Sequence, residues 1–178
     1  MDLDPQVVYV RRADLSLAAA DGGWPLLSDE ERERAARFLI EEKRVQFVAM
    51  RGVLRRWLGD CLALDPAALR FAYGEHGKPH LIDSNLHFNV SHSEETGVIA
   101  IALDRPVGVD IQAATTGNFQ AWVEREAYIK ARGWAMPLEP VPVDPDWRVI
   151  PIDNWTPRFA AAVAARNHSW RVDLLPVL

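Results

Sequence analysis

The alternation of apolar and polar positions predicts strands and helices in turn along the chain. Val7–Arg12 carries a β-branched apolar run and is predicted to open a sheet. From about Lys43 to Leu62, apolar residues recur every three or four positions, which predicts an amphipathic helix. The apolar stripe of this helix consists of Phe47, Met50, Leu54, Trp57 and Leu58. We expect that stripe to face the core rather than a ligand.

Capping and turn residues divide the remaining elements. Ser28 is followed three residues later by Glu31, the capping-box spacing that starts a helix. Gly133 is predicted to end a helix over Ala121–Arg132. Short β-rich segments are predicted at His87–Ser91, Gly97–Leu103, Val107–Ile111, Trp147–Ile152, Arg158–Ala165 and Ser169–Leu174. In Arg158–Ala165 the alanines favour a helix, and only the short length favours a strand.

This order of elements predicts an α+β fold built from two halves of α/β type placed side by side. The halves would comprise residues 1–104 and 105–178, with the seam near Leu103–Pro106. A cleft between them would have His92 on one wall and Asp110 on the other.

Composition narrows the class of protein. The 178 residues are 49% apolar, enough for a folded core, and their net charge of −5 argues against sequence-independent binding to nucleic acid. Apolar runs fall short of the roughly 20 residues of a membrane helix, and the acidic start MDLDPQ is unlike a signal peptide. Cys61 is the single cysteine, so no internal disulfide can form. We expect a cytoplasmic protein with neither a membrane nor a nucleic-acid partner.

Three charged residues stand out in the second half of the chain. Asp110 lies within the apolar segment Val107–Ile111, where a carboxylate needs a hydrogen bond, an ion pair or a cation. Glu126 and Lys130 are four positions apart and share one face of the predicted helix. Asp110 could simply cap a turn, and Glu126 with Lys130 could be an exposed ion pair. Two carboxylates on successive elements are also typical of a Mg²⁺ site completed by water and phosphate oxygens.

Polar groups interrupt the first half of the chain as well. Gly77-Lys78-Pro79 is either an ordinary turn with a solvated lysine or a turn that presents a cation to a phosphate. His92 is either a structural residue or, together with Ser91, a donor to a diphosphate at the end of a strand. Adjacent residues on a strand point to opposite faces, which argues against Ser91 and His92 as a nucleophile–base pair.

Four motifs follow one another in order along the chain: GKPHL, FNVSHS, VGVDIQ and WVEREAYIKARG. With LSDEERERAARF before them and RFAAAVAA after them, they resemble the 4′-phosphopantetheinyl transferases of the larger, surfactin-type class over nearly the whole sequence. The resemblance implies two similar subdomains related by a pseudo-two-fold axis, with coenzyme A in the cleft between them. It implies a monomer that uses Mg²⁺, or Mn²⁺, to move the phosphopantetheine arm of coenzyme A onto a serine of an acyl or peptidyl carrier protein, releasing 3′,5′-ADP.

The resemblance also implies a role for individual residues of the motifs. The implied metal ligands are Asp110, Glu126 and Gln112. The implied contacts to coenzyme A are Arg34, Lys78, Pro79, Ser91, His92 and Lys130. The implied catalytic groups are Glu126, which would accept the serine proton, and Lys130 and His92, which would stabilise charge on the diphosphate.

Three features depart from the pattern of the family. Gln112 stands where many relatives have Glu, which removes one negative charge from the implied metal site. Arg125 replaces the usual lysine and keeps its charge but not its compact ammonium. Only residues 113–121 join Gln112 to Trp122, whereas relatives have a longer segment there. Either the protein is a minimal variant, or a segment is missing from this sequence.

Two other functions are compatible with these residues. Gln112 and the short connection would suit a protein that binds coenzyme A or a carrier protein without catalysis. A metal-dependent phosphoester hydrolase that uses Asp110 and Glu126 is the weaker alternative, because nothing else in the sequence specifies a site that activates water.

Overall fold

A computed structural model of the chain describes residues 1–114, 119–135, 137, 141–153 and 158–177. Its helices are α1 Leu17–Gly23, α2 Asp29–Ala36, α3 Glu41–Leu62 and α4 Gln120–Arg132. Its strands are β1 Val7–Asp14, β2 Phe71–Tyr73, β3 Pro79–Leu81, β4 Leu86–Ser93, β5 Thr96–Leu103, β6 Val107–Ala113, β7 Trp147–Pro151, β8 Phe159–Arg166 and β9 Arg171–Leu175. The mixed α+β class predicted from the sequence is confirmed.

The strands form two sheets and a separate hairpin. The first sheet has the order β4-β5-β1-β9, the second has the order β6-β8-β7, and β2 pairs with β3. The alanine-rich segment that could have been a helix is strand β8, because β6 and β7 pair with it on both sides. Strand β9 runs parallel to β1, so the end of the chain returns to the first sheet.

The core lies in layers set by the two-residue period of the strands. One face of the first sheet, including Val7 and Ile99, packs on α3 through Leu54 and Trp57. The opposite face packs against the second sheet; this cluster includes Val8, Val10, Val98, Ala100, Val107, Val109 and Ile111. Helix α4 covers the outer face of the second sheet, with Val123 and Ala127 against Ala162 and Ala164. The predicted stripe of α3 is core at Met50, Leu54, Trp57 and Leu58, while Phe47 is only partly buried.

The corner between α2 and α3 is held by a buried ion pair. The predicted capping box forms, since Ser28 Oγ accepts from Glu31 N and a Glu31 carboxylate oxygen accepts from Ser28 N. The same carboxylate accepts a hydrogen bond from Arg55 Nε at 2.7 Å, and both side chains are almost fully buried. Arg55 also donates to the carbonyl oxygens of Pro66 and Leu69, which ties the end of α3 to the following turn.

Helix α1 and the hairpin β2–β3 were not predicted from the sequence. Helix α1 contains two glycines and two turns at most, so its periodicity is too short to detect, and it is stabilised by packing against α3. Across the described ranges, each helix is too short or too polar to cross a lipid bilayer.

Candidate active site

Strand β4 supplies polar side chains to the free edge of β6. Because β6 is the outer strand of its sheet, some of its backbone N–H groups need partners from elsewhere. Asn89 Oδ1 accepts from Val109 N at 2.9 Å, and Ser93 Oγ accepts from Ala113 N at 3.0 Å. Ser91, between these two residues, points to the same face of β4 and so reaches the middle of β6.

Asp110 is the centre of the polar cluster on β6. Its Oδ1 atom accepts a hydrogen bond from Ser91 Oγ at 2.6 Å and one from Lys130 Nζ at 2.5 Å. Lys130 Nζ also donates to Ser91 Oγ at 3.0 Å, so the three side chains form a closed triangle. Asp110 is only 5% exposed, and the ion pair with the hydrogen bond offsets the cost of burying its charge.

Helix α4 brings Glu126 and Lys130 to Asp110 because it lies unusually close to β6. Gly108 makes this approach possible, since a Cβ atom there would lie 2.1 Å from the carbonyl oxygen of Ala127. Glu126 is buried, and burial raises the pKa of its carboxyl group, with the negative charge of Asp110 as the second cause. The site therefore holds two neighbouring carboxylates in a weakly hydrated environment.

Lys78 joins the first half of the chain to this site. Its ammonium donates to the carbonyl oxygen of Val107 at 2.9 Å and to that of Ala131 at 3.1 Å, at the start of β6 and the end of α4. Burial lowers the pKa of Lys78 to about 8. The residue also lines a groove of about 190 Å³ together with Pro79, Lys130 and Trp134.

Two other residues predicted to contact coenzyme A, His92 and Arg34, have no hydrogen bond to the Asp110 cluster among the described contacts. His92 is exposed on the opposite face of β4 from Ser91, as the alternation predicted. Partial desolvation of the ring by its surroundings lowers its pKa, and the positive charges of Lys43 and Lys130 lower it further. Arg34 contacts the ring of Phe47 on α3, with its guanidinium carbon 5.2 Å from the ring centroid.

The residues predicted to hold a metal fit an ion that shares its ligands with a substrate. Gln112 is half-buried and lies two residues after Asp110 on the same face of β6. In the described part of the chain, no group of three or more His, Cys, Asp or Glu side chains is arranged to hold a metal. Two carboxylates and an amide oxygen instead match Mg²⁺, which keeps water and phosphate oxygens as its other ligands. Burial, and after it the negative charge of Asp110, raises the pKa of Glu126, and a divalent cation would relieve the second of these causes.

Asn89 and Gly108 build the site and were missed from the sequence, and Ser93 was given no role of its own there. Asn89 and Ser93 alternate with Ser91 on one face of a strand, and this period of two was the signal that all three serve one neighbour. Gly108 lies inside an apolar strand, where glycine often marks a close approach of another backbone.

Known proteins of similar sequence come from one family. A family model described as 4′-phosphopantetheinyl transferase, N-terminal, matches residues 20–103. The 4′-phosphopantetheinyl transferase HetI of Nostoc sp. (strain PCC 7120) is 30% identical over 195 aligned positions, covering 82% of this chain and 81% of the relative. The 4′-phosphopantetheinyl transferase Sfp of Bacillus subtilis (strain 168) is 36% identical over 99 positions, covering 48% of this chain and 44% of that protein. The chain belongs to the 4′-phosphopantetheinyl transferase family.

The alignment with HetI shows that this relative has segments that the chain lacks. It spans 195 positions, more than the 178 residues of this protein, so HetI has segments without a counterpart here. The short predicted connection between Gln112 and Trp122 includes residues 115–118, which lie outside the described residues.

Proposed function

We propose that this protein transfers the 4′-phosphopantetheine group of coenzyme A to a serine hydroxyl of an acyl or peptidyl carrier protein. The observation that carries the proposal is the buried cluster of Asp110, Glu126 and Lys130, contributed by β6 and α4, in a chain of this family. In the reaction the serine oxygen forms a bond to the β-phosphorus, the bond from that phosphorus to the bridging oxygen breaks, and 3′,5′-ADP leaves.

Asp110, Glu126 and the carbonyl oxygen of Gln112 would hold Mg²⁺ or Mn²⁺ in this proposal. Bound there, the ion would neutralise charge that develops on the diphosphate. Lys130 lies beside both carboxylates and supplies a further positive charge to the leaving group. His92, whose pKa the positive charge of Lys130 helps to lower, would donate a hydrogen bond to the same diphosphate.

Glu126 is the group proposed to take the proton of the carrier serine. Its carboxylate would accept this proton directly or through one water molecule, since a general base must lie within hydrogen-bond reach of the proton that it takes. The path of coenzyme A would be lined by Lys78 and Pro79, which lie in the same groove as Lys130. Ser91 would lie on this path as well, because it accepts a hydrogen bond from Lys130.

We also propose that the fold consists of two similar subdomains and that the protein is a monomer. Each sheet is covered on its outer face by one long helix, α3 or α4, which supports two similar subdomains with the ligand at their junction. A monomer is sufficient because a single chain supplies both carboxylates, Ser91 and Lys130. We expect the protein to act in the cytoplasm.

The test is to incubate the protein with coenzyme A, Mg²⁺ and an apo carrier protein, and to weigh the carrier by mass spectrometry. A mass gain equal to phosphopantetheine is expected. Asp110→Asn and Glu126→Gln keep the shape of each side chain, and each should lower the rate at least about 10²-fold. Glu124→Gln, on the same helix, is the matched control and should transfer normally.

Tight binding of coenzyme A without transfer to any class of carrier protein would favour the non-catalytic alternative instead. Release of phosphate or free phosphopantetheine in the absence of a carrier would favour the hydrolase. Normal transfer by both carboxylate variants would remove the proposed metal site.

A further inference from the structure

The ammonium of Lys130 is paired with Asp110, the first of the two carboxylates proposed to hold a metal ion. Lys130 Nζ lies 2.5 Å from Asp110 Oδ1, and Ser91 Oγ donates to the same oxygen at 2.6 Å. A divalent cation bound to the same carboxylate and the ammonium would repel each other across a distance at which both are poorly screened. The two cations therefore compete for the negative charge of one carboxylate.

The charges of the site show why the competition matters. Two carboxylates and one ammonium leave the cluster with one excess negative charge when no substrate is bound. Adding a divalent cation without removing the ammonium would give one excess positive charge in a weakly hydrated place, which is unfavourable. An anionic diphosphate compensates this charge, since it can accept both the metal ion and the ammonium.

The position of Lys130 allows it to move while Asp110 stays fixed. The lysine side chain is 31% exposed, whereas the aspartate side chain is 7% exposed. Lys130 also lines the groove that contains Lys78, Asn89 and Trp134, so its flexible four-carbon stem has space on that side. Asp110, in contrast, is fixed on a central position of β6, opposite Ala162 of β8.

We propose that Lys130 is an exchangeable internal cation, which holds Asp110 in the free protein and transfers to the diphosphate when metal and coenzyme A bind. The inference rests on the proposed function, because it takes the diphosphate of coenzyme A as the incoming anion. Its consequence is that the metal ion binds weakly alone and much more tightly with coenzyme A, and that part of this coupling depends on Lys130.

The experiment measures Mn²⁺ binding by electron paramagnetic resonance, with and without coenzyme A, in the wild type, Lys130→Met and Lys43→Met. Lys43 is the matched control, because it carries a positive charge near His92 and bonds to Gln46 rather than to Asp110. Without coenzyme A, Lys130→Met should bind Mn²⁺ about tenfold or more tightly than the wild type. Lys43→Met should gain less than about threefold, since its charge is more distant and better screened.

The effect of coenzyme A on the Mn²⁺ affinity distinguishes the exchange of Lys130 from a general effect of removing a positive charge. The ratio of Mn²⁺ affinities with and without coenzyme A should fall about tenfold in Lys130→Met and remain unchanged in Lys43→Met. Unchanged affinity and unchanged coupling in Lys130→Met would overturn the proposal. Lys130→Gln, which keeps a polar side chain, repeats the measurement if the methionine variant unfolds on thermal melting.

Failure of this inference can be distinguished from failure of the proposed function. If the wild type modifies a carrier and binds Mn²⁺ with coenzyme A, but Lys130→Met gains nothing, only the exchange is wrong. If the wild type neither modifies a carrier nor binds Mn²⁺ in the presence of coenzyme A, the function and the inference are both wrong.

Discussion

Replacing Gly108 with alanine should separate the two elements that form the site. The added Cβ would lie 2.1 Å from the carbonyl oxygen of Ala127 and 2.3 Å from the backbone nitrogen of Ala131, where ordinary contact begins at 3.4 Å. Since all these neighbours are backbone atoms, no side chain can rotate away, and α4 must move from β6 by about 1.3 Å. Forcing a packed core apart in this way typically costs about 1–3 kcal/mol of unfolding free energy.

The same displacement should affect catalysis more than stability. Glu126 and Lys130 are carried by α4, whereas Asp110 is carried by β6, so a shift of about 1 Å changes their separation directly. A misplacement of that size can cost about 10²-fold in rate. Urea unfolding followed by circular dichroism gives the stability, and the mass of the modified carrier protein gives the rate.

Gly74→Ala is the matched control for this substitution. A Cβ atom at Gly74 would meet only the carbonyl oxygen of Lys78, at an ordinary distance of 3.7 Å. Its stability and transfer rate should match those of the wild type. A Gly108→Ala protein with the wild-type midpoint and the wild-type rate would show that the close approach of α4 to β6 does not position the site.

Two further predictions concern charges away from the carboxylate pair. Glu31→Gln should lower the unfolding free energy measured in urea by about 3–5 kcal/mol, because the buried Arg55 keeps its two carbonyl partners but loses its negative partner. Glu33→Gln, in an exposed pair with Arg37, is the control and should change it by less than about 0.5 kcal/mol. Equal midpoints would contradict this. Lys78 has a pKa of about 8 in the folded protein, below its ordinary value of 10.5. Between these two pH values the unfolded chain therefore binds more protons than the folded one. The unfolding free energy should rise with pH across that window. Lys78→Met should lose this rise, and the same slope in both proteins would refute the assignment.

Local features of the sequence were sufficient for most of the secondary structure. The helical spacing of α3 and the capping box at Ser28 depend on neighbours within about one turn of helix, so both can be read from the chain. The alanine-rich segment Arg158–Ala165 could not be assigned in this way. Its strand conformation comes from pairing with β7, the strand just before it in the chain, and with β6, which is distant in sequence.

The residue types of the site were singled out from the sequence by three signals: a carboxylate within an apolar strand, the helical spacing of Glu126 and Lys130, and the resemblance of the motifs to one family. Asp110, Glu126, Lys130 and Ser91 were all identified before their positions were known. Their partners were not, since hydrogen bonds between β4, β6 and α4 join residues about 20 to 40 positions apart. Lys78 was expected to present a free cation, and its two backbone carbonyl partners are visible only in the folded chain.

The sequence alone therefore determined which groups carry charge and which elements they lie on, because these follow from local spacing. Tertiary structure alone decided that Lys130 is bonded to Asp110, because that contact depends on how closely a helix can approach a strand at Gly108.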